Sequence, residues 1–206
     1  MTFIVTSKKT SIFVKDDCDN SNSYIHCLSS KIKQIYLKNF FSDNKLQMCR
    51  SIFYESNVEI LDIPKSIKYI QYNKNNDICN ILPWNLYGLV LGGLYNKHVN
   101  NLPQELVELS LGHEFNQYID NLPHKLYILH LGYNFNHSVE SLPESLKIIE
   151  FSGNFTHNLS NFPNELSLIV LNFSYYDEIY INSLKKVLKN KKIVDRKTFE
   201  KKGIFA

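Results

Sequence analysis

The chain is sparing with the residues that break or staple a backbone: its 206 residues hold six prolines, seven glycines and four cysteines. Cys18, Cys27, Cys49 and Cys79 form no Cys-x-x-Cys pair, and a disulfide framework belongs mainly to small secreted domains. They read as free, partly buried thiols in a reducing compartment. No run of about 18 apolar residues occurs, which excludes a membrane-spanning helix of the usual kind. Residues 1–15 carry Lys8 and Lys9 between short apolar stretches, without the basic, apolar, small-residue order of a signal peptide. The expected location is therefore intracellular and cytoplasmic. Charge of one sign is also scarce: the net charge is +3. It is unevenly spread, because residues 182–206 hold nine Lys/Arg against two Asp/Glu.

Scarcity makes the prolines informative. They stand at 64, 83, 103, 123, 143 and 163, a first gap of 19 and then gaps of 20. Repeats at such a period mark solenoids. Three residues after each proline sit Ile67, Leu86, Leu106, Leu126, Leu146 and Leu166. Six after sit Ile70, Leu89, Leu109, Leu129, Ile149 and Ile169. Eight after sit Tyr72, Leu91, Leu111, Leu131, Phe151 and Leu171. The resulting L-x-x-L-x-L is the inward pattern of a short strand in a leucine-rich coil. Gly92, Gly112 and Gly132 follow, where a tight turn with positive φ is expected. Tyr95, Phe115, Phe135, Phe155 and Tyr175 predict an aromatic stack. Asn96, Asn116 and Asn136 come next and are placed to bond loop backbone between coils.

One coil of this length cannot bury its own apolar face, whereas stacked coils cover one another. Twenty residues leave room for a short strand and an extended return, but not for a full helix. Proline fixes φ and forces its predecessor to be extended, which suits a return arc. The fold class expected is thus a leucine-rich-repeat-like solenoid. It has short parallel strands, extended polyproline-like return arcs and about six coils of 19–20 residues.

The repeat array spans 63–181. Residues 1–62 form a mixed cap region: 3–6 and 11–14 read as two short strands, 31–37 as a degenerate coil, 43–54 as a short helix, and Val58, Leu61 and Ile63 as a strand edge. Residues 182–206 form a basic cap and tail. Asp177–Lys191 reads as an amphipathic helix with Ile181, Leu184, Val187 and Leu188 inward, and Ile193 and Val194 as a final strand.

The segments FNQYIDNLP (115–123) and FNHSVESLP (135–143), each followed by L-x-x-L-x-L-G, resemble FNIP repeats. This short leucine-rich-repeat type is abundant in social amoebae and in giant viruses that infect amoebae. LYNKHVNNLP (94–103) and FTHNLSNFP (155–163) are weaker copies, and Thr156 and Tyr176 stand where the pattern has Asn. The resemblance implies a solenoid that binds proteins. Some relatives carry an F-box or a kinase domain, so it also implies a host or ubiquitin-pathway partner by analogy, and host cytoplasm if the source is viral. Neither extra domain is visible in this sequence.

The search for chemistry is mostly empty. Asp17-Cys18-Asp19-Asn20-Ser21-Asn22-Ser23 alternates oxygens like a calcium loop, but has Asn22 and Leu28 where an EF-hand needs Gly and Glu. His113-Glu114 lacks the second histidine of a zinc-protease motif. No nucleophile elbow, Cys-His pair or phosphate loop is present. The expectation is no enzyme, no metal and no cofactor.

Function is therefore sought on the face that is concave in leucine-rich coils, where residues between the inward leucines point out. Ile128, Ile148, Leu168 and Val170 form an apolar stripe there, rimmed by Glu108, His130 and Glu150 and flanked by Tyr87 and Tyr127. Exposed contiguous apolar area marks binding sites, so these seven residues are the candidate partner site. The alternative is that a terminal segment folds over the stripe. Two other functions stay open. One is nucleic-acid or other polyanion binding through the basic tail, Lys185–Lys202, disfavoured because the aromatics are in the core repeat and not interleaved on a basic face. The other is a purely structural array.

Overall fold

The structure, a computed structural model, describes residues 3–7, 10–15, 25–26, 51–54, 63, 65, 68–72, 75–153, 155–157, 159 and 162–200; for 3–7, 10–15, 25–26, 51–54 and 199–200 it describes the backbone. The strands are β1 (Phe3–Ser7), β2 (Thr10–Lys15), β3 (Ile25–His26), β4 (Ser51–Tyr54), β5 (Tyr69–Tyr72), β6 (Gly88–Leu91), β7 (Glu108–Leu111), β8 (Ile128–Leu131), β9 (Ile148–Phe151), β10 (Leu168–Leu171) and β11 (Lys192–Asp195). Two helices close the chain, α1 (Glu178–Val187) and α2 (Arg196–Glu200). All strands lie in one sheet, in the order β11-β10-β9-β8-β7-β6-β5-β4-β2-β1-β3. From β4 to β11 every neighbouring pair is parallel. β2 pairs antiparallel with β4 and β1 with β2.

The register explains why equal spacing matters. Leu89 pairs with Leu109, Leu109 with Leu129, Leu129 with Ile149 and Ile149 with Ile169. A 20-residue repeat keeps each residue beside its own equivalent, so one residue type builds a continuous column. The columns are the core: Leu86, Leu106, Leu109, Leu126, Leu129, Leu146, Ile149 and Ile169 are fully buried. A second wall faces them, made of the ring row and of Val99, Ile119, Val139 and Leu159. In the ring row Tyr95 stacks on Phe115 at 6.5 Å, Phe115 on Phe135 at 6.3 Å and Phe135 on Phe155 at 6.1 Å.

Two tight turns square off each coil. The carbonyl of each proline from Pro83 to Pro163 accepts from the amide three residues on (Leu86, Leu106, Leu126, Leu146 and Leu166). Proline thus ends the extended arc and opens the turn into the strand. The carbonyls of Gly92, Gly112 and Gly132 close the second turn, onto the amides of Tyr95, Phe115 and Phe135. Beyond it runs an asparagine ladder: the Asn96 side chain accepts from the Asn116 amide, Asn116 from Asn136, and Asn136 from Thr156, each at 3.0 Å. Each of these bonds ties one coil to the next along the exposed edge of the stack.

Several expectations need correction. Gly112 and Gly132 do not stand at positive φ. A Cβ on Gly112 would lie 2.0 Å from the Gly92 carbonyl oxygen, and one on Gly132 would lie 1.8 Å from that of Gly112. They are small because consecutive coils touch backbone to backbone. Ser51–Tyr54 is a strand, not the end of a helix, because Ile52 and Tyr54 fall in register with Ile70 and Tyr72. Tyr175 leaves the ring row: a 3-10 turn at Phe173–Tyr175 turns it out against Tyr133. Tyr176 caps the row's end instead, its hydroxyl accepting from the Phe155 amide and donating to the Gly153 carbonyl.

At the C-terminus the chain does form a helix after Asp177, whose carboxylate caps the Tyr180 amide. Ile181, Leu184 and Leu188 are buried, but Val187 is exposed. At about 100° per residue Val187 points away from the stripe that the other three define. β11 then extends the sheet beside β10, with Ile193 opposite Ile169. The proposed coil at 31–37, the helix start at 43–50, Val58 and Leu61 lie outside the described residues, as do Asp17–Ser23, Cys18, Cys27 and Cys49. Cys79 is a free, buried thiol.

Candidate functional site: the outer face of the sheet

Side chains alternate across a strand, so burying the leucine columns turns the intervening residues outward. In β7 and β8 every second residue is buried and the others are half-buried. Register assembles these outward residues into two rows. One runs Tyr69, Gly88, Glu108, Ile128, Ile148, Leu168. The other runs Gln71, Val90, Ser110, His130, Glu150, Val170. All seven predicted residues are therefore on one face, and Glu108, Ile128, Ile148 and Leu168 are consecutive in a row.

The two ends of that face differ. At the β5–β8 end Tyr69, Tyr87, Val90 and Tyr127 are 39–45% exposed. At the β9–β10 end Val170 is fully buried and Glu150 is 7% exposed, against the expectation of an open stripe. The cause lies in the terminal segment. α2 packs against β10 and β11, and Arg196 at its start reaches Glu150, Nε to Oε1, at 3.2 Å. On its other side Glu150 Oε2 meets His130 Nδ1 at 2.7 Å. Burial pushes the Glu150 carboxyl up, but the hydrogen bond and charge of His130, with Arg196 and the Ser152 hydroxyl, outweigh it and hold the group below the ordinary carboxylate range. Glu150 and Val170 are thus parts of a closed, ion-paired seam.

Glu108 is the opposite case. Burial pushes its carboxyl up and only the charge of His130 works against that. No hydrogen bond or ion pair to it exists among the described residues. Tyr69 opens the outward row opposite Gly88 and Tyr87 directly precedes that row, so exposed aromatic rings as well as the aliphatic stripe mark this face.

Among the described residues no group of three or more His, Cys, Asp or Glu could hold a metal ion, and no helix is long and apolar enough to cross a membrane. Three cations of the basic segment are engaged within the protein. The Lys191 Nζ donates to the carbonyls of Pro163 and Leu166, both at 2.9 Å, Lys185 lies over the Phe173 ring, and Arg196 holds Glu150.

In-register parallel strands, leucine columns and an asparagine ladder define a repeat protein of leucine-rich-repeat-like type. Its middle carries FNIP repeats: residues 115–154 match the family model described as FNIP Repeat, which contains both segments that resembled it. No curated protein matches the chain. A solved structure described as that of CroV588, a novel circular LRR protein, is similar at 34% identity over 56% of this chain, with a TM-score of 0.49. This chain spans only 19% of that one.

Proposed function

We propose that the protein is a non-enzymatic interaction module that captures a protein partner on the outer face of its parallel sheet. One observation carries the reading. The β5–β10 face combines exposed Tyr69, Tyr87, Val90 and Tyr127 with the half-buried row Ile128, Ile148 and Leu168. Tyrosine offers large contact area at low entropic cost, and aromatics are enriched in interfaces while lysine and glutamate are depleted. Repeat arrays present such extended surfaces because successive coils place equivalent residues side by side. Glu108 and His130 supply polar contacts within the patch; Glu150 and Val170 serve it from beneath α2, by holding the seam shut.

The test is a photo-crosslinking residue placed singly at 128, 148, 118 and 140 in the native cell. Tyr118 and Glu140 are exposed on the return arcs. The reading predicts that one protein species crosslinks from 128 and 148 and not from 118 or 140. Crosslinks from the arc positions alone would refute it.

A further inference from the structure

One outward row is open at one end and shut at the other. Val90, in β6, is 39% exposed, whereas Val170, in β10, is fully buried. Both hold the same position of their coils, linked in register through Ser110, His130 and Glu150. What differs is α2, which follows β11 and packs against β10 and β11.

Arg196 shows how far this cover reaches. It directly follows Asp195, which lies opposite Leu171, itself opposite Phe151. Its side chain nonetheless meets Glu150 on β9, Nε to Oε1 at 3.2 Å. It therefore crosses over β10, because β11 and β9 stand two strand spacings, or roughly 10 Å, apart. Val170 is the outward residue between Glu150 and Val194, so it lies beneath this strap.

The strap is a weak element on a firm base. β11 is pinned by its ladder with β10 and by the Asp195 carboxylate, which accepts from the Phe173 amide at 3.0 Å. α2 has five residues, too few for a helix that stands alone in water. Arg196 and Lys197 open it with positive charge and its first turn holds no acid, which opposes the helix dipole. Lys197 and Thr198 are exposed, while Arg196 turns to the sheet. The Glu150 carboxylate, held in place by His130 at 2.7 Å, supplies the negative charge that this first turn lacks.

We propose that α2 is a latch on the working face, with the Arg196–Glu150 ion pair as its catch. When the pair parts, α2 swings away after Asp195 while β11 stays in the sheet. Val170 and Glu150 then join Ile148 and Leu168 as open surface, and the partner site gains the β9–β10 end. The latch thus gates how much of the face a partner can cover. The proposal rests on the interaction reading above and adds the regulation of that site.

The experiment uses the full chain with its native cysteines replaced and one cysteine placed at 170, 110 or 129. In the folded parent V170C should react slowly with a water-soluble thiol reagent. R196Q should speed that reaction about tenfold or more, as a local opening does. E150Q, which breaks the pair from the other side, should do the same. S110C, on the open end, and L129C, inside its column, should keep their rates. An unchanged V170C rate in folded R196Q and E150Q would overturn the latch. So would equal acceleration at L129C, because the array would then be loosening as a whole. The second readout is crosslinking from a photoreactive residue at 168, whose yield R196Q should raise severalfold. If V170C accelerates and this yield does not rise, α2 is a plain cap and its gating role falls. If no protein crosslinks from 128 or 148 in parent or R196Q, the interaction reading fails and gating goes with it, whereas the V170C rates decide separately whether α2 opens.

Discussion

At the residue scale the structure distinguishes positions that look alike in sequence. Gly132 directly follows β8 and Gly93 lies in the turn after β6, but a Cβ on Gly93 meets nothing within 4 Å, whereas one on Gly132 would run into the Gly112 carbonyl. G132A should therefore cost about 2 kcal/mol or more, as overpacking does, and G93A close to nothing; thermal or denaturant unfolding of the two variants checks it. Leu129, wholly buried in its column, should cost about 2–5 kcal/mol as alanine. The two carboxylates make opposite predictions. The Glu150 value is depressed on folding, so its contribution is present above the unfolded carboxylate value and lost as pH falls through the folded one. E150Q should flatten the acid limb of the stability profile and lower stability at neutral pH. The Glu108 value is raised, so the ionised group opposes folding once pH exceeds it. E108Q should be no less stable than the parent at pH 7, and more stable by at most about 0.5 kcal/mol once its solvent exposure is allowed for.

At the scale of elements, the last coil has no successor, and two devices replace one. The Asp177 carboxylate holds the Tyr180 amide at 2.6 Å to start α1; D177A should cost about 1 kcal/mol. Lys191 supplies protons to three carbonyls of the turn after Pro163 that a following coil would have met. K191M should loosen that turn by about 1–3 kcal/mol, read as faster amide exchange at Leu166 with Leu126 unchanged. How far such elements could be read from the sequence depends on how local their causes are. The columns and the ring row were legible because one physical type recurs at one phase. α1 and β11 were legible from a cap residue and a short apolar run. β4 was not: Ser51–Tyr54 lacks proline and leucine signals, and its strand state is decided by β5 lying alongside in register. The role of Gly112 and Gly132 is not legible for the same reason, since coil-to-coil approach is a tertiary quantity.

For the whole molecule, a one-dimensional stack separates structure from function by face. Inward columns hold coil to coil, and the outward rows are left to vary: Tyr, Gly, Glu, Ile, Ile and Leu occupy a single outward row. The sequence placed the candidate residues on one face correctly. It could not show that α2 would close the face over β10, because that depends on where the chain turns after β11. Stability should be distributed accordingly, with local opening easiest at the array ends.

Alternation within a single strand underlies both the buried columns and the outward rows. Cysteines placed one at a time at 128, 129, 130 and 131, with the native cysteines replaced, report it through their rate of reaction with a water-soluble thiol reagent in the folded protein. Positions 128 and 130 should react readily while 129 and 131 stay protected. Labelling at 129 and 131 as fast as at 128 and 130, with the fold intact by circular dichroism, would contradict the stacked columns and with them the working face.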